Sequence, residues 1–221
     1  MLAFQRLRSS LYSTNLSLKE RLSQLIPQRR ELVKKIKQEH GSKSLGQVTV
    51  EMAYGGMRGI KGMIYETSLL DPEEGIRFRG YSIPECRQML PKLKEEPLPE
   101  GLFWLLLTGE IPTAQQVQAL SAEWAERAKR LEVPAWLQAA WSQPGSAFSQ
   151  LHPMTQLSVA IMALQGQSQW AKAYQAGSMR RDTQWEWAYE DAANLIAILP
   201  RLAASIYQAR HAKPSTVSSS S

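Results

Sequence analysis

The sequence is poor in the residues that carry most side-chain chemistry. It holds one cysteine, Cys86, so neither an internal disulfide framework nor a cysteine-cluster metal site is available. That excludes a disulfide-stapled secreted fold and favours a reducing compartment. The three histidines, His40, His152 and His211, are far apart and at none of the close spacings that clamp zinc. No orienting partner is visible beside any of them, so each reads as structural. Aspartate is equally scarce. Asp71 precedes Pro72 in a turn, Asp182 is placed as a helix-start residue, and Asp191 is the third. Glu73-Glu74 and Glu95-Glu96 read as solvated loop charges. The longest apolar run, Leu102 to Leu107, is far too short to cross a bilayer. The formal net charge is +6, but basic residues interleave with glutamates and form no polybasic block. Neither nucleic acid nor a membrane is therefore expected as a partner. A Gly-x-Ser-x-Gly elbow, a Walker loop and a dinucleotide fingerprint are all missing.

What is present is an apolar content of 43% with a mean hydropathy of −0.33 and seven tryptophans against four phenylalanines. That composition suits a helical globular protein with a sizeable core. The first 13 residues are basic, serine-containing and free of acid, the character of a mitochondrial transit peptide. Residues 211–221 are low in complexity and read as a disordered tail.

Between these ends the pattern is helix after helix. Ser17-Leu-Lys-Glu20 is a capping box, followed by Leu18, Leu22, Leu25 and Ile26 at helical spacing. Pro27 is placed to open a second helix that carries Leu32, Val33 and Ile36 and stops at Gly41. Over residues 46–80 the period changes. Val48, Val50 and Met52 alternate with polar residues as a strand would, and Met63 to Tyr65 could pair back. Leu70 to Gly80 is a further turn-bounded extended piece. Helices resume at the capping box Ser82-Ile-Pro-Glu85 and are expected over 98–108, 113–130, 153–165 and 184–210, with Pro200 kinking or splitting the last. The reading is mainly α with a small β excursion near residues 46–80.

One stretch hints at ligand binding. In Gly55-Gly-Met-Arg-Gly-Ile-Lys-Gly62, glycines let backbone amides point into a concavity while Arg58 and Lys61 add positive charge, which suits a phosphate. A tight turn between two strands explains the same glycines. Both readings stand on the residues alone.

Long strings carry a family resemblance. Val48 to Gly62, Tyr65 to Cys86, Glu96 to Gly109, Leu151-His-Pro-Met-Thr-Gln-Leu157 and Trp185-Glu-Trp-Ala-Tyr-Glu-Asp191 closely resemble, in order, segments of eukaryotic citrate synthases of the mitochondrial type. The resemblance covers about residues 13 to 210 and corresponds to the family's N-terminal half. A shorter loop at Lys92 to Pro97 and a divergent stretch from Leu131 to Gln150 depart from the family pattern.

The resemblance implies part of a large helical domain over 14–210, placement in the mitochondrial matrix, and a homodimer of packed antiparallel helices. The helices near 153–165 and 184–210 resemble the family's dimer interface, so the implied partner is a second copy or a full-length citrate synthase. On the residues alone, the apolar faces of Met154, Leu157, Ile161, Leu164, Leu195, Ile196 and Ile198 could equally fill a monomer core. The family condenses acetyl-CoA with oxaloacetate to citrate and CoA and holds no tightly bound cofactor. Two arginines resemble its CoA-phosphate contacts: Arg58 and, four residues before Trp185, Arg181, which in the family reaches the partner subunit's CoA. Arg180 beside it leaves the second assignment open. The family's catalytic His and Asp fall in sequence beyond residue 221. The expectation is therefore a partial citrate synthase, or alternatively a non-catalytic dimerising or scaffolding paralogue.

Overall fold

The computed structural model describes residues 16–64, 66–143 and 145–211. The transit-peptide stretch and the tail beyond His211 lie outside the described residues. Nine α-helices and five short strands make up the described fold, which is mainly α with small antiparallel sheets. The chain divides into two compact units, one through Ser121 and one from Ala122.

The first unit opens with α1 (Leu18–His40). Ser17 Oγ accepts from the Glu20 amide while the Glu20 carboxylate accepts from the Ser17 amide, completing the expected box. Those hydrogen bonds hold the Glu20 carboxyl below the ordinary glutamate range. Pro27 does not start a second helix. It sits inside α1, which continues to the cap at Gly41. A proline removes one hydrogen bond, and the turns on either side supply the rest, aided by the i,i+3 pair Lys34–Glu31 and the i,i+4 pair Lys35–Glu39. Gly41 is required there because a Cβ would fall 2.3 Å from the Lys37 carbonyl oxygen. The helix is anchored only at its start, where Leu18, Arg21 and Leu22 are buried, whereas residues 27–40 are all exposed.

The strand expected at Val48 to Met52 is a helix instead, α2 (Val50–Tyr54). Thr49 Oγ1 accepts from the Met52 amide, a local N-cap that diverts the alternating residues into one helical turn. Residues 60–64 form no strand either, so the β excursion begins only at Ser68. There β1 (Ser68–Asp71), β2 (Gly75–Phe78) and β3 (Tyr81–Ser82) form an antiparallel sheet in that order. Asp71 closes the first turn by accepting from the Glu74 and Glu73 amides, which holds its carboxyl below the ordinary aspartate range. The second turn is the pair Arg79-Gly80, at φ 50° and 88°. Both are left-handed, as a two-residue hairpin that follows the sheet twist requires.

The second capping box, at Ser82 and Glu85, starts α3 (Ile83–Met89). A short hairpin of β4 (Lys92–Leu93) and β5 (Glu96–Pro97) follows, then α4 (Pro99–Thr108). Gly109, at φ 80°, ends α4 in the left-handed conformation that favours glycine. Arg79 clasps the same end, its Nε donating to the Leu106 carbonyl at 2.8 Å. Trp104 and Leu105 of α4 are buried, and Cys86, Leu90 and Leu105 form a core cluster with Phe78, Tyr81, Leu102 and Ile111 packed around it. α1 packs on α4. Arg21 reaches Glu110 with two hydrogen bonds, at 2.9 and 2.5 Å. α5 (Ala114–Arg130) begins with a Thr113–Gln116 reciprocal cap and buries Val117 and Leu120.

The second unit holds the rest of α5, α6 (Ala135–Ser142), α7 (Pro153–Ala163), a 3-10 turn over Leu164–Gln167, α8 (Gln169–Gln175) and α9 (Gln184–His211). Pro200 does not split α9, which runs unbroken for 28 residues. α6, α7 and α8 all pack on it. The core is Val133, Leu137, Trp141, Ala160, Ile198, Leu202 and Ile206. Gln156 is buried inside it with both ends of its amide engaged. It accepts from Trp141 Nε1 at 3.2 Å and donates to the carbonyls of Leu151 and Ser149. Asp191 of α9 caps α8 by accepting from the Ser168 hydroxyl and from the Gln169 and Trp170 amides.

Candidate functional site

The glycine-rich segment lies in the first unit and is not the turn between two strands that its composition permits. The Gly55 amide returns to the Glu51 carbonyl and the Met57 amide to the Met52 carbonyl, closing α2. The chain then passes through left-handed Gly56, Met57 and Gly59, at φ 75°, 64° and 78°. Arg58 therefore sits in the middle of three left-handed residues, exposed to solvent. Apolar side chains surround it in sequence and are also exposed: Val50, Tyr54, Met57, Met63 and Ile64, with Tyr54 at 91%. The segment thus combines a cation with uncovered apolar surface, the mixture that a ligand with a charged group and an organic body would meet.

Arg181 lies in the second unit, in the connection between α8 and α9. Gly177, at φ 63°, ends α8. The Thr183 and Gln184 amides both bond back to the Arg180 carbonyl, so the connection is a tight turn leading into α9. Asp182 lies two residues before α9 begins. Its carboxylate takes Arg180 in a two-point bridge, Nε to Oδ1 at 3.2 Å and Nη2 to Oδ2 at 3.1 Å. Arg180 and Arg181 are both exposed. The Arg180 fork is thus matched to a carboxylate.

The three histidines hold helix ends. His40 stands in the last turn of α1. His152 Nδ1 accepts from the Met154 amide at 3.2 Å and so caps α7. The His211 ring stacks on Tyr207 at 4.3 Å at the end of α9. Burial, with Glu85 adding to it, pushes the Cys86 thiol up, away from the nucleophilic thiolate. Among the described residues there is no group of three or more His, Cys, Asp or Glu side chains able to hold a metal. No described helix is long and apolar enough to cross a membrane.

The best-built polar cluster was missed in the sequence. Arg127 of α5, 9% exposed, donates to Glu123 and, across to α9, to Glu190 and Asn194 at 2.7 and 2.8 Å. Its guanidinium carbon lies 6.0 Å from the centre of the Tyr189 ring. Burial first, and then Glu123, push the Tyr189 hydroxyl far above its usual range. Arg127 thus ties α5 to α9 through Glu190 and Asn194 while holding Glu123 of its own helix. The only signal for it in the sequence was the i,i+4 spacing of Glu123 and Arg127.

The apolar faces weighed between interface and core divide. Leu157, Leu164 and Leu195 pack against the core and Ile198 is buried within it. Met154 and Met162 stand 62% and 74% exposed on α7, eight residues apart with exposed Ser158 midway, so they share one face.

Fold and strings describe one kind of protein, a mainly helical chain with small antiparallel sheets. The chain belongs to the citrate synthase family: residues 56–221 match the family model described as "Citrate synthase, C-terminal domain". It is 50% identical over 211 residues to "Citrate synthase, mitochondrial" of Kajikia audax, covering 95% of this chain and 43% of that protein. The same figures hold for the protein of that name from Xiphias gladius. The chain thus spans 43% of the length of these curated relatives.

Proposed function

We propose that this chain is part of a citrate synthase acting in the mitochondrial matrix, where the whole protein condenses acetyl-CoA with oxaloacetate to give citrate and CoA in the tricarboxylic acid cycle. The observation that carries the reading is the 50% identity sustained over 95% of the chain. In this stretch we assign binding and assembly. Arg58 meets CoA phosphate within its own subunit, and Arg181 reaches toward the CoA of a partner subunit. No tightly bound cofactor is involved, and acetyl-CoA is a substrate. The described histidines cap and flank helices, so we assign them no part in forming the enol of the thioester.

Calorimetric titration of the purified chain with CoA tests the assignment. Weak heat is expected. Arg58→Gln and Arg181→Gln should each weaken binding about tenfold, the scale of one charge-assisted hydrogen bond. Equal affinity in the wild type and both variants, or no heat at millimolar CoA, overturns it.

The partner we propose is a second copy, or a full-length citrate synthase, joined through α7 and α9. The exposed face of Met154, Ser158 and Met162 supports this, since thioethers at helical spacing suit a packed helix pair. Native mass measurement is expected to give a dimer, and Met154→Glu with Met162→Glu to give a monomer. A wild-type chain that stays monomeric at micromolar concentration removes the interface.

A further inference from the structure

We infer that Asp182 restrains anion binding at the turn before α9 by holding Arg180 in a two-point bridge, so that its removal releases a second phosphate-binding arginine. The inference rests on the reading that this turn meets a phosphate of CoA. A guanidinium presents its donors as a fork, and the Asp182 carboxylate occupies the Nε and Nη2 positions together, at 3.2 and 3.1 Å. That is the same edge a phosphate would use. Residues 180–182 carry two cationic side chains and one anionic one, so the turn presents a net charge of +1.

The backbone keeps this arrangement in place. The Arg180 carbonyl accepts from the amides three and four residues later, Thr183 at 3.2 Å and Gln184 at 2.9 Å, so both arginines and Asp182 ride on one short closed turn. An incoming phosphate must either displace Asp182 from Arg180 or bind beside a fixed negative charge. Both routes weaken it. All three side chains are exposed, so water and salt screen the effect and it stays modest. A carboxylate a few ångströms from a phosphate in a water-like dielectric corresponds to about a threefold to fivefold change in affinity.

The experiment is the calorimetric titration of the full chain with CoA, using Asp182→Asn, Arg180→Gln and the double variant. Asp182→Asn is expected to tighten binding about threefold to fivefold at low ionic strength, with the gain fading in 0.5 M salt on the order of a 4 Å Debye length. Arg180→Gln alone should stay within about twofold of wild type, because its fork is already occupied. The double variant should lose the gain. Far-UV circular dichroism matching wild type shows that each variant is folded, which the exposure of these side chains favours. An unchanged or weaker Asp182→Asn overturns the inference, and so does a gain that persists in the double variant. If Arg181→Gln weakens CoA binding while Asp182→Asn changes nothing, this inference alone falls. If Arg181→Gln binds like wild type, the phosphate reading falls and takes the inference with it.

Discussion

Arg127→Met destabilises the second unit by about 3 kcal/mol, because it removes the cation from a nearly buried cluster and leaves its carboxylates facing each other. The arginine side chain is 10% exposed, with Glu190 at 25% and Glu123 at 31%, so the carboxylates remain partly hydrated and the loss stays below that of a sealed ion pair. Methionine keeps the apolar stem packed against Tyr189, so the measurement isolates the charge. Urea unfolding at pH 7 reads the loss. A loss under about 1 kcal/mol at pH 7 would show the cluster to be screened like an ordinary surface pair.

Trp104→Ala costs the first unit more, about 3–5 kcal/mol, the range for truncating a buried aromatic in a core that relaxes only in part. The side chain is 2% exposed and neighbours fully buried Leu105, on a helix whose close approach at Gly101 brings Leu90, Pro91 and Val117 within 3.7 Å of where a Cβ would sit. With a typical net stability of about 5–15 kcal/mol, that loss brings the unit near its threshold. A fall in melting temperature of about 15 °C or more is expected for roughly 100 residues. Trp104→Phe should lose less than half as much, since a ring still fills most of the space. Comparable losses for both variants would mean that the indole, and not the filled volume, is what the site needs.

Legibility in the sequence followed from how local each signal is. The boxes at Ser17–Glu20 and Ser82–Glu85 were readable because the partners lie three residues apart and the structure forms those bonds. The alternation at Val48 to Met52 misled because β-branched residues favour a strand while one Thr49 hydroxyl suffices to nucleate a turn of helix. Pro27 misled in the opposite direction, since a long helix absorbs the loss of one hydrogen bond. The short helix α6 escaped because Pro134 precedes it with no side-chain cap, although Leu137 and Trp141 stand at the i,i+4 spacing that buries them. At the candidate site, the glycines flanking Arg58 drew attention to it, and the structure shows their left-handed turns. The engagement of Arg180 by Asp182 was not, because a sequence shows adjacent charges without showing which fork closes on which carboxylate.

The Arg79-Gly80 hairpin has a bearing on how this chain can vary. Its first residue holds a backbone shape that asparagine or glycine would adopt more readily. Its side chain meanwhile bonds the carbonyl of Leu106 at 2.8 Å and that of Leu107 at 3.4 Å. The turn and the helix end thus act as a buckle and strap. A substitution that relaxes the bend also unfastens α4, so the sheet and the helix beneath it are constrained to change together.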